Sequence, residues 1–273
     1  MPSLITVNHL KSKKIMDTKI TFLGTGTSHG VPKINCGCET CVSESDLNKR
    51  LRCSILIERG GRSVLIDTSA DFRAQALKYK IKSLDAILFT HAHADHLHGI
   101  DDIRAYQTKT SPPIECFGPP SFCDNVRHRF SYIFLDKMPA GGGTPRISLT
   151  PVVEDFEAAG VKFTPVAVEH GPTETYGYRF LDIAYIPDVK YVNEESVKKL
   201  AGLDILIIDA LRIRPHSTHL CFSESIEAVK LLKPKKTYFT HIDHEILHER
   251  ESEMLEKLGL NISIAHDGLI IRA

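Results

Sequence analysis

Short apolar runs alternate with segments of helical periodicity along most of the chain. The runs are rich in Val, Ile, Leu and Phe and are bounded by polar or turn-forming residues, which is typical of buried strands. They predict strands at Lys19–Leu23, Ser54–Ile57, Ser63–Ile66, Ala86–Phe89, Pro113–Phe117, Val161–Val168, Tyr176–Leu181, Ile183–Ile186, Ile205–Ile208, Thr237–Thr240, Ile262–Ala265 and Leu269–Ile271. Helical periodicity predicts helices at Phe72–Tyr79, Leu97–Tyr106, Ser121–Phe130, Glu194–Leu200, Ser223–Leu232 and His244–Leu258.

The order of these elements indicates the fold class. Strands follow one another early in the chain and alternate with helices later. This mixture favours an α/β (α+β) fold in which two sheets pack together with helices on the outside. We expect a single folded domain over residues 19–273, preceded by a disordered N-terminal extension over residues 1–18.

Composition narrows the classes of function. Lys and Arg number 34, as do Asp and Glu, so the chain has no overall basic field to hold long nucleic acid. No apolar run reaches the ~18 residues of a membrane-spanning helix, and the N-terminus lacks the apolar stretch of a secretory signal. The 7 cysteines are an odd number, which favours a reducing compartment over a disulfide framework. We therefore expect a cytoplasmic protein without a membrane partner.

The strongest chemical signal is the segment His91-Ala92-His93-Ala94-Asp95-His96, which follows a predicted strand. Imidazole and carboxylate groups together suit a divalent cation such as Zn²⁺. Because only the small Ala92 separates His91 from His93, both rings can face one ion. A solvated histidine-rich loop is the alternative interpretation, but four candidate ligands within six residues favour a metal site.

Three further candidate ligands stand where other predicted strands end, namely His170, Asp188 and His241. A lone histidine after a strand is more often a surface or core residue, but the common placement of these three favours a shared site. Asp67 ends another apolar run and suits the orientation of a ligand histidine better than ligation itself.

These residues match the motifs of the metallo-β-lactamase superfamily, and the resemblance extends from Lys19 to Arg272. The resemblance implies an αββα sandwich that holds two divalent cations, Zn²⁺ or Mn²⁺, at its catalytic site. It also implies the distribution of ligands: one cation on His91, His93 and His170, the second on Asp95, His96 and His241, and Asp188 bridging both.

A separate metal site is indicated by Cys36, Cys38 and Cys41, which leave one ligand missing for tetrahedral Zn²⁺. His244, three residues after His241, can complete the set. The chain resembles the superfamily's cyclic-phosphate phosphodiesterase branch of phosphonate degradation, which carries one structural zinc on three cysteines and a histidine at these relative places. Three free or buried thiols are the alternative.

Two adjacent cations favour hydrolysis of a phosphodiester, because they activate a water molecule and clamp a phosphoryl oxygen. Asp95 is expected to orient that water as well as to bind metal. Resemblance to the cyclic-phosphate enzymes and to tRNA 3′-end endonucleases implies that His219 assists the leaving oxygen, with His216 as its rival. Ser28 and His29, on the first glycine-rich turn, and His216 are weaker candidates for substrate binding.

The favoured function is hydrolysis of a small cyclic phosphate or nucleotide phosphodiester. A tRNA-maturing ribonuclease is an alternative, but only 17 residues separate His170 from Asp188, where bacterial enzymes of that type carry a long arm. A non-catalytic member, as in pyrroloquinoline quinone synthesis, would bind metal without turnover. A glyoxalase II type of thioester hydrolase is disfavoured because too little chain follows His241 for its helical domain. Homodimers are common among relatives, and a homodimer is left open here.

Overall fold

Two seven-stranded sheets pack face to face and carry helices on their outer faces. The computed structural model describes residues 17–108, 110–135 and 143–273. Both sheets mix parallel and antiparallel strands, so the predicted fold class is confirmed. Most of the predicted extension over residues 1–18 lies outside the described residues. Its last residue, Thr18, already belongs to the first strand.

The first sheet has the spatial order β14-β1-β2-β3-β4-β5-β6. Its strands β1 to β6 and β14 are Thr18–Gly24, Ser54–Arg59, Arg62–Ile66, Ala86–Leu88, Ile114–Gly118, Ile147–Pro151 and Ile270–Arg272. Strands β1 to β3 pair antiparallel, whereas β3 to β6 run parallel. The carboxyl ends of β3 and β4 therefore lie side by side at one edge of the sheet.

The second sheet has the order β13-β12-β11-β10-β9-β8-β7. Its strands β7 to β13 are Phe156–Ala158, Val161–His170, Thr173–Phe180, Ile183–Ile186, Ile205–Asp209, Lys236–Thr240 and Ile262–Ile264. Strands β10 to β13 are parallel, and β8 runs in the same direction because both β8 and β10 pair antiparallel with β9. The carboxyl ends of β8, β10, β11 and β12 thus share one edge.

In the part of the chain that the structure describes, seven α-helices connect the strands. Helices α1 to α7 are Glu39–Val42, Phe72–Lys78, Ala94–Leu97, Pro120–Arg129, Glu194–Lys199, Phe222–Leu232 and His248–Lys257. Three 3₁₀ segments lie at Asp46–Asn48, Ile100–Tyr106 and Ser131–Phe134. Within the described ranges, no helix has both the length and the apolar character needed to cross a membrane.

Central strands such as β4, β10 and β11 are buried on both faces, which explains their unbroken apolar runs. In β2, Ile55 and Ile57 point into the core between the sheets, whereas Leu56 packs with the outer helices. In β11, Ile207 lies between the sheets and Leu206 packs under the helices of the other face. The alternation of side chains along each strand therefore fills three apolar layers.

Two differences from the predicted elements have local causes. Strands β6 and β7 have no counterpart in the sequence prediction, because both are short and include exposed residues that interrupt an apolar run. The helix predicted over Leu97–Tyr106 is divided at Gly99, whose N–H donates to the Thr68 carbonyl oxygen at 2.9 Å. A Cβ at Gly99 would lie 2.3 Å from the Ser69 carbonyl oxygen, so only glycine allows this close approach.

Two helix starts also differ from the prediction. Helix α7 begins at His248 and not at His244. The side chain of His244, in the turn before the helix, points toward the loop that carries Cys36, Cys38 and Cys41, which we call the cysteine loop. Helix α6 begins at Phe222, and its N-cap is Cys221, whose N–H donates to Glu224 Oε2 at 2.8 Å. Ser223 therefore lies inside the helix.

Arg50 is buried at the base of the cysteine loop and anchors it. Its backbone forms two hydrogen bonds with Val31, one from each N–H. Its guanidinium donates to Thr25 Oγ1 at 2.7 Å and to the Ala265 carbonyl oxygen at 2.6 Å, and lies 3.0 Å from His248 Nδ1. Burial lowers the pKa of Arg50 to about 10, which still leaves it charged at neutral pH.

The contact with Arg50 predicts a pH dependence of stability. The pKa of His248 is lowered to about 4, first by burial and then by the charges of Arg50 and His266. Between pH 4 and pH 6.5 the unfolded chain therefore binds more protons than the folded protein, so folding stability falls as the pH drops through this window. We expect His248→Gln, which keeps an acceptor for Arg50, to remove this loss.

Denaturant unfolding of both proteins at pH 7 and pH 4.5 measures the effect. The free energy of unfolding that His248→Gln loses relative to the native protein should be smaller at pH 4.5 than at pH 7, by roughly 1–2 kcal/mol. The difference is this small because solvent screens the partly exposed His248. A difference between the two proteins that stays constant with pH would contradict the prediction.

Candidate metal centre

Seven candidate ligands meet at the edge of the sandwich where the parallel strands of both sheets end. The first sheet supplies the segment after β4, including helix α3, and the second sheet supplies residues at the ends of β8, β10 and β12. The seven side chains that the structure brings together are His91, His93, Asp95, His96, His170, Asp188 and His241. All seven are those that the sequence singles out.

Three imidazoles form what we call the outer set, namely His91, His93 and His170. His91 Nε2 lies 2.9 Å from His93 Nδ1, and His170 Nε2 lies 3.4 Å from the same atom. Three ring nitrogens that face one another at these distances are suited to a shared cation. Asp188 Oδ1 lies 3.7 Å from His170 Nε2 and so borders this set.

Asp95, His96 and His241 form the inner set. Asp95 Oδ2 lies 3.3 Å from His96 Nε2 and 3.7 Å from His241 Nε2. Asp188 Oδ2 lies 3.0 Å from His96 Nε2, and its Oδ1 lies 3.3 Å from His241 Nε2. Asp188 therefore faces both sets, as a bridging ligand must.

The donor atoms of the inner set and of Asp188 fit a bound cation. His96 Nε2, His241 Nε2 and Asp188 Oδ2 are buried and make no hydrogen bond. Unpaired buried polar atoms destabilise a fold, and a cation between them removes that penalty. Carboxylate and imidazole donors in this combination suit Zn²⁺ or Mn²⁺.

Burial and neighbouring charges set the protonation of these ligands. Burial, and then the positive potential of His96, holds the pKa of His91 well below its ordinary value. Burial likewise lowers the pKa values of His93 and His170. Neutral imidazole is the form that binds metal, so the outer set is already in its binding form.

The potential at the inner set is negative. Burial alone would lower the pKa of His241, but the carboxylates of Asp188, Asp95 and Asp209 outweigh it and raise the pKa to about 9. Burial raises the pKa of Asp188, yet the imidazoles around it hold that pKa well below its ordinary value. A group of ionised carboxylates in this position attracts cations.

Two buried carboxylates stand behind the ligand imidazoles. Asp67 Oδ2 lies 2.7 Å from His96 Nδ1, and this geometry matches the orienting role that the sequence predicts for Asp67. Asp209 lies behind the other end of the site, with Oδ2 2.7 Å from His219 Nδ1 and Oδ1 3.8 Å from His241 Nδ1. The sequence analysis missed Asp209, although it directly follows an apolar run, as the ligands do.

Three residues of the centre have left-handed backbone conformations. The φ angles are 66° at Asp67, 51° at Asp188 and 57° at His241. Such angles are uncommon outside glycine and concentrate at functional sites, where the surrounding structure maintains them. Here each marks the point where a strand ends and its side chain turns into the site.

His219 lies beside both sets. Its Nε2 is 3.8 Å from Asp188 Oδ1, and its ring stacks on that of His241 with centroids 4.9 Å apart. His216 lies farther out, with its ring 5.0 Å from that of His219 and its Nδ1 accepting from the Thr218 N–H. Of the two rivals, His219 is therefore the one that borders the ligands.

Ser28 and His29 are exposed on the turn after β1. The carbonyl oxygen of Ser28 accepts from Arg52 Nε at 2.8 Å. In the described part of the chain, neither side chain contacts the seven ligands. Their predicted role in substrate binding therefore remains a prediction.

The cysteine loop meets His244 as the sequence predicts. His244 Nδ1 lies 3.4 Å from Cys36 Sγ and 3.3 Å from Cys38 Sγ, and Cys41 Sγ belongs to the same group. Asp243 Oδ1 lies 3.2 Å from the other ring nitrogen, His244 Nε2. Three sulfur atoms and one nitrogen match the ligands of a closed structural zinc site.

Comparisons with known proteins bear on the family and the fold of the chain. A family model described as a Beta-lactamase superfamily domain matches residues 62–242. A solved structure, a new diphosphatase from the PhnP family, is 41% identical, covers 94% of this chain and 98% of its own, and superposes with a TM-score of 0.87. Zn(2+)-bound PqqB from Methylobacterium extorquens is 22% identical, covers 93% and 99% of the two chains, has a TM-score of 0.75, and supports the fold alone.

A curated relative, the octanoyltransferase of Porphyromonas gingivalis, is 36% identical over 253 residues, which are 91% of this chain. The chain spans only 50% of that relative's length. The family model covers more than half of the chain, and the sandwich and its converging ligands agree with it. The chain therefore belongs to the metallo-β-lactamase superfamily.

Proposed function

We propose that this protein hydrolyses a small phosphodiester or diphosphate, with two divalent cations held by the inner and outer sets and bridged by Asp188. The observation that supports this most is the position of His219. Its Nε2 lies 3.8 Å from the shared carboxylate, while Asp209 holds its other nitrogen at 2.7 Å. A histidine fixed in this way can serve a departing oxygen beside the metal centre.

When bound, the two cations supply an activated water molecule and neutralise charge on the phosphoryl group. The residues of this chain supply the remaining steps. Asp95, whose carboxylate belongs to the inner set, orients the attacking water. His219 donates a proton from Nε2 to the departing oxygen, while Asp209 accepts from Nδ1 and keeps the ring aimed at the centre.

Two observations support the proposed substrate class, namely the similarity to a diphosphatase and the charge of the chain. The 41% identical structure is that of a diphosphatase, and a diphosphate and a cyclic phosphodiester require the same assistance at phosphorus. A formal charge of zero gives the chain no overall field for a tRNA-sized partner, so a small substrate is preferred over a ribonuclease substrate.

The location in the cytoplasm, the homodimer and the absence of a membrane partner remain predictions.

A substrate panel with Mn²⁺- or Zn²⁺-loaded protein tests the proposal. The panel contains a nucleoside diphosphate diester, a 2′,3′-cyclic nucleotide, a short oligoribonucleotide and an octanoyl thioester, and Asp188→Asn is the control for contaminating activity. We expect turnover on one of the two small phosphate substrates to exceed the others at least 100-fold. Faster hydrolysis of the oligoribonucleotide or the thioester contradicts the proposed substrate class. Metal binding without turnover on any substrate favours the non-catalytic class.

A further inference from the structure

The ligand imidazoles of the two sets are supported by groups of different charge. In the inner set, His96 Nδ1 lies 2.7 Å from the Asp67 carboxylate, and His241 Nδ1 faces the Asp209 carboxylate at 3.8 Å. Carboxylates behind metal-binding imidazoles make them stronger ligands. The inner set also contains Asp95 as a ligand in its own right.

The nearest groups behind two imidazoles of the outer set are neutral, and the Asp67 carboxylate reaches His91 only through the Thr90 hydroxyl, which donates to Asp67 Oδ2 at 2.9 Å. His91 Nδ1 lies 3.0 Å from Thr90 Oγ1, and His170 Nδ1 donates to the Thr218 carbonyl oxygen at 2.9 Å. The outer set shares Asp188 with the inner set but has no carboxylate of its own. The same divalent cation is therefore attracted less strongly to the outer set than to the inner set.

His93 is the exposed ligand of the outer set, and a hydroxyl holds it. Thr173 Oγ1 lies 3.2 Å from His93 Nε2, while His93 Nδ1 faces His91 and His170. Thr173 is the first residue of β9 and stands three residues after His170, across the Gly171-Pro172 turn. One hairpin thus supplies both a ligand of the outer set and the group that fixes a second ligand.

We propose that the outer set is the weaker, exchangeable cation site, and that Thr173 is the positioning residue that completes it by fixing the ring of His93. The first cation occupies the carboxylate-rich inner set. The second enters through the exposed side, where its binding depends on a ring that one hydroxyl orients. Activity then follows the free concentration of the second cation. The proposal rests on the metal centre of the proposed function but not on its substrate.

Calorimetric titration with Mn²⁺ tests the proposal without substrate, on protein that has lost its catalytic cations but retains one zinc per chain by elemental analysis. Mn²⁺ is the probe because thiolate sites disfavour it, so the cysteine loop does not contribute. The native protein should show two binding events whose dissociation constants differ at least 10-fold. Thr173→Val, which has the same shape without the hydroxyl, should weaken the second event about 10-fold and leave the first within 2-fold. Thr173→Ser should restore the second event.

The reciprocal variant separates the two sites. Asp67→Asn removes the carboxylate that contacts His96 directly and reaches His91 only through Thr90, so it should weaken the first event about 10-fold and the second event less. Electron paramagnetic resonance of Mn²⁺ reports whether one ion or a coupled pair is bound, and circular dichroism checks that each variant is folded. Two equal constants in the native protein, a Thr173→Val titration like the native one, or a loss confined to the first event in Thr173→Val would each overturn the proposal. A negative substrate panel leaves these titrations unaffected.

Discussion

His219→Ala is expected to lower kcat/KM about 10²–10⁴-fold for a phosphate ester whose leaving group is an alkoxide, because that oxygen must gain a proton as it departs. The same variant should lose far less, about 10-fold or under, on bis-p-nitrophenyl phosphate, since nitrophenolate leaves without a proton. The ratio of the two losses is the diagnostic quantity. It is measured with metal-saturated native protein and variant under identical conditions.

Two further variants sharpen this test. Asp209→Asn keeps the size of the side chain that holds His219 Nδ1 but replaces an acceptor oxygen with a donor, so it should give a smaller loss with the same dependence on the leaving group. His216→Ala tests the rival histidine. If His216→Ala shows the leaving-group dependence and His219→Ala does not, the two roles must be exchanged. Equal losses on both substrates with His219→Ala would indicate damage to the metal centre, which metal analysis detects.

The ligands of the centre could be found in the sequence because the fold places them at strand ends. An apolar run that stops at His, Asp or another polar residue marks the carboxyl end of a buried strand, and these ends share one edge. Asp209 carries the same signal and could have been recognised by it. Thr173 could not, because its contact with His93 joins residues 80 positions apart and a hairpin threonine has no distinctive pattern.

Most strands of the fold could also be predicted from the sequence. Long apolar runs identify strands that are buried on both faces, which is why the two sheets follow from the sequence. Strands β6 and β7 escape detection because they lie at the sheet margins and keep exposed residues. The division at Gly99 depends on contact with the backbone at Thr68 and Ser69, which are distant in sequence, so no local pattern records it.

Cys38→Ser is expected to lower the zinc content by about one ion per chain and to lower Tm by roughly 10 °C or more. A structural zinc site contributes about 10–16 kcal/mol of apparent binding free energy in zinc-finger peptides, and part of that stabilises the fold. In this chain the zinc would join Cys36, Cys38 and Cys41 to His244, which are more than 200 positions apart. Elemental analysis and thermal unfolding measure the two effects.

Cys221→Ser is the matched control, because Cys221 is the N-cap of α6 and serine is a preferred residue at that position. This variant should keep its zinc and its Tm. The loss of zinc in Cys38→Ser should also lower activity, since His244 stands three residues after His241 and a loosened loop shifts this ligand of the inner set. Unchanged zinc content in Cys38→Ser would remove the structural site. Lost zinc with unchanged activity would instead show that the loop carrying His241 holds its place without the zinc.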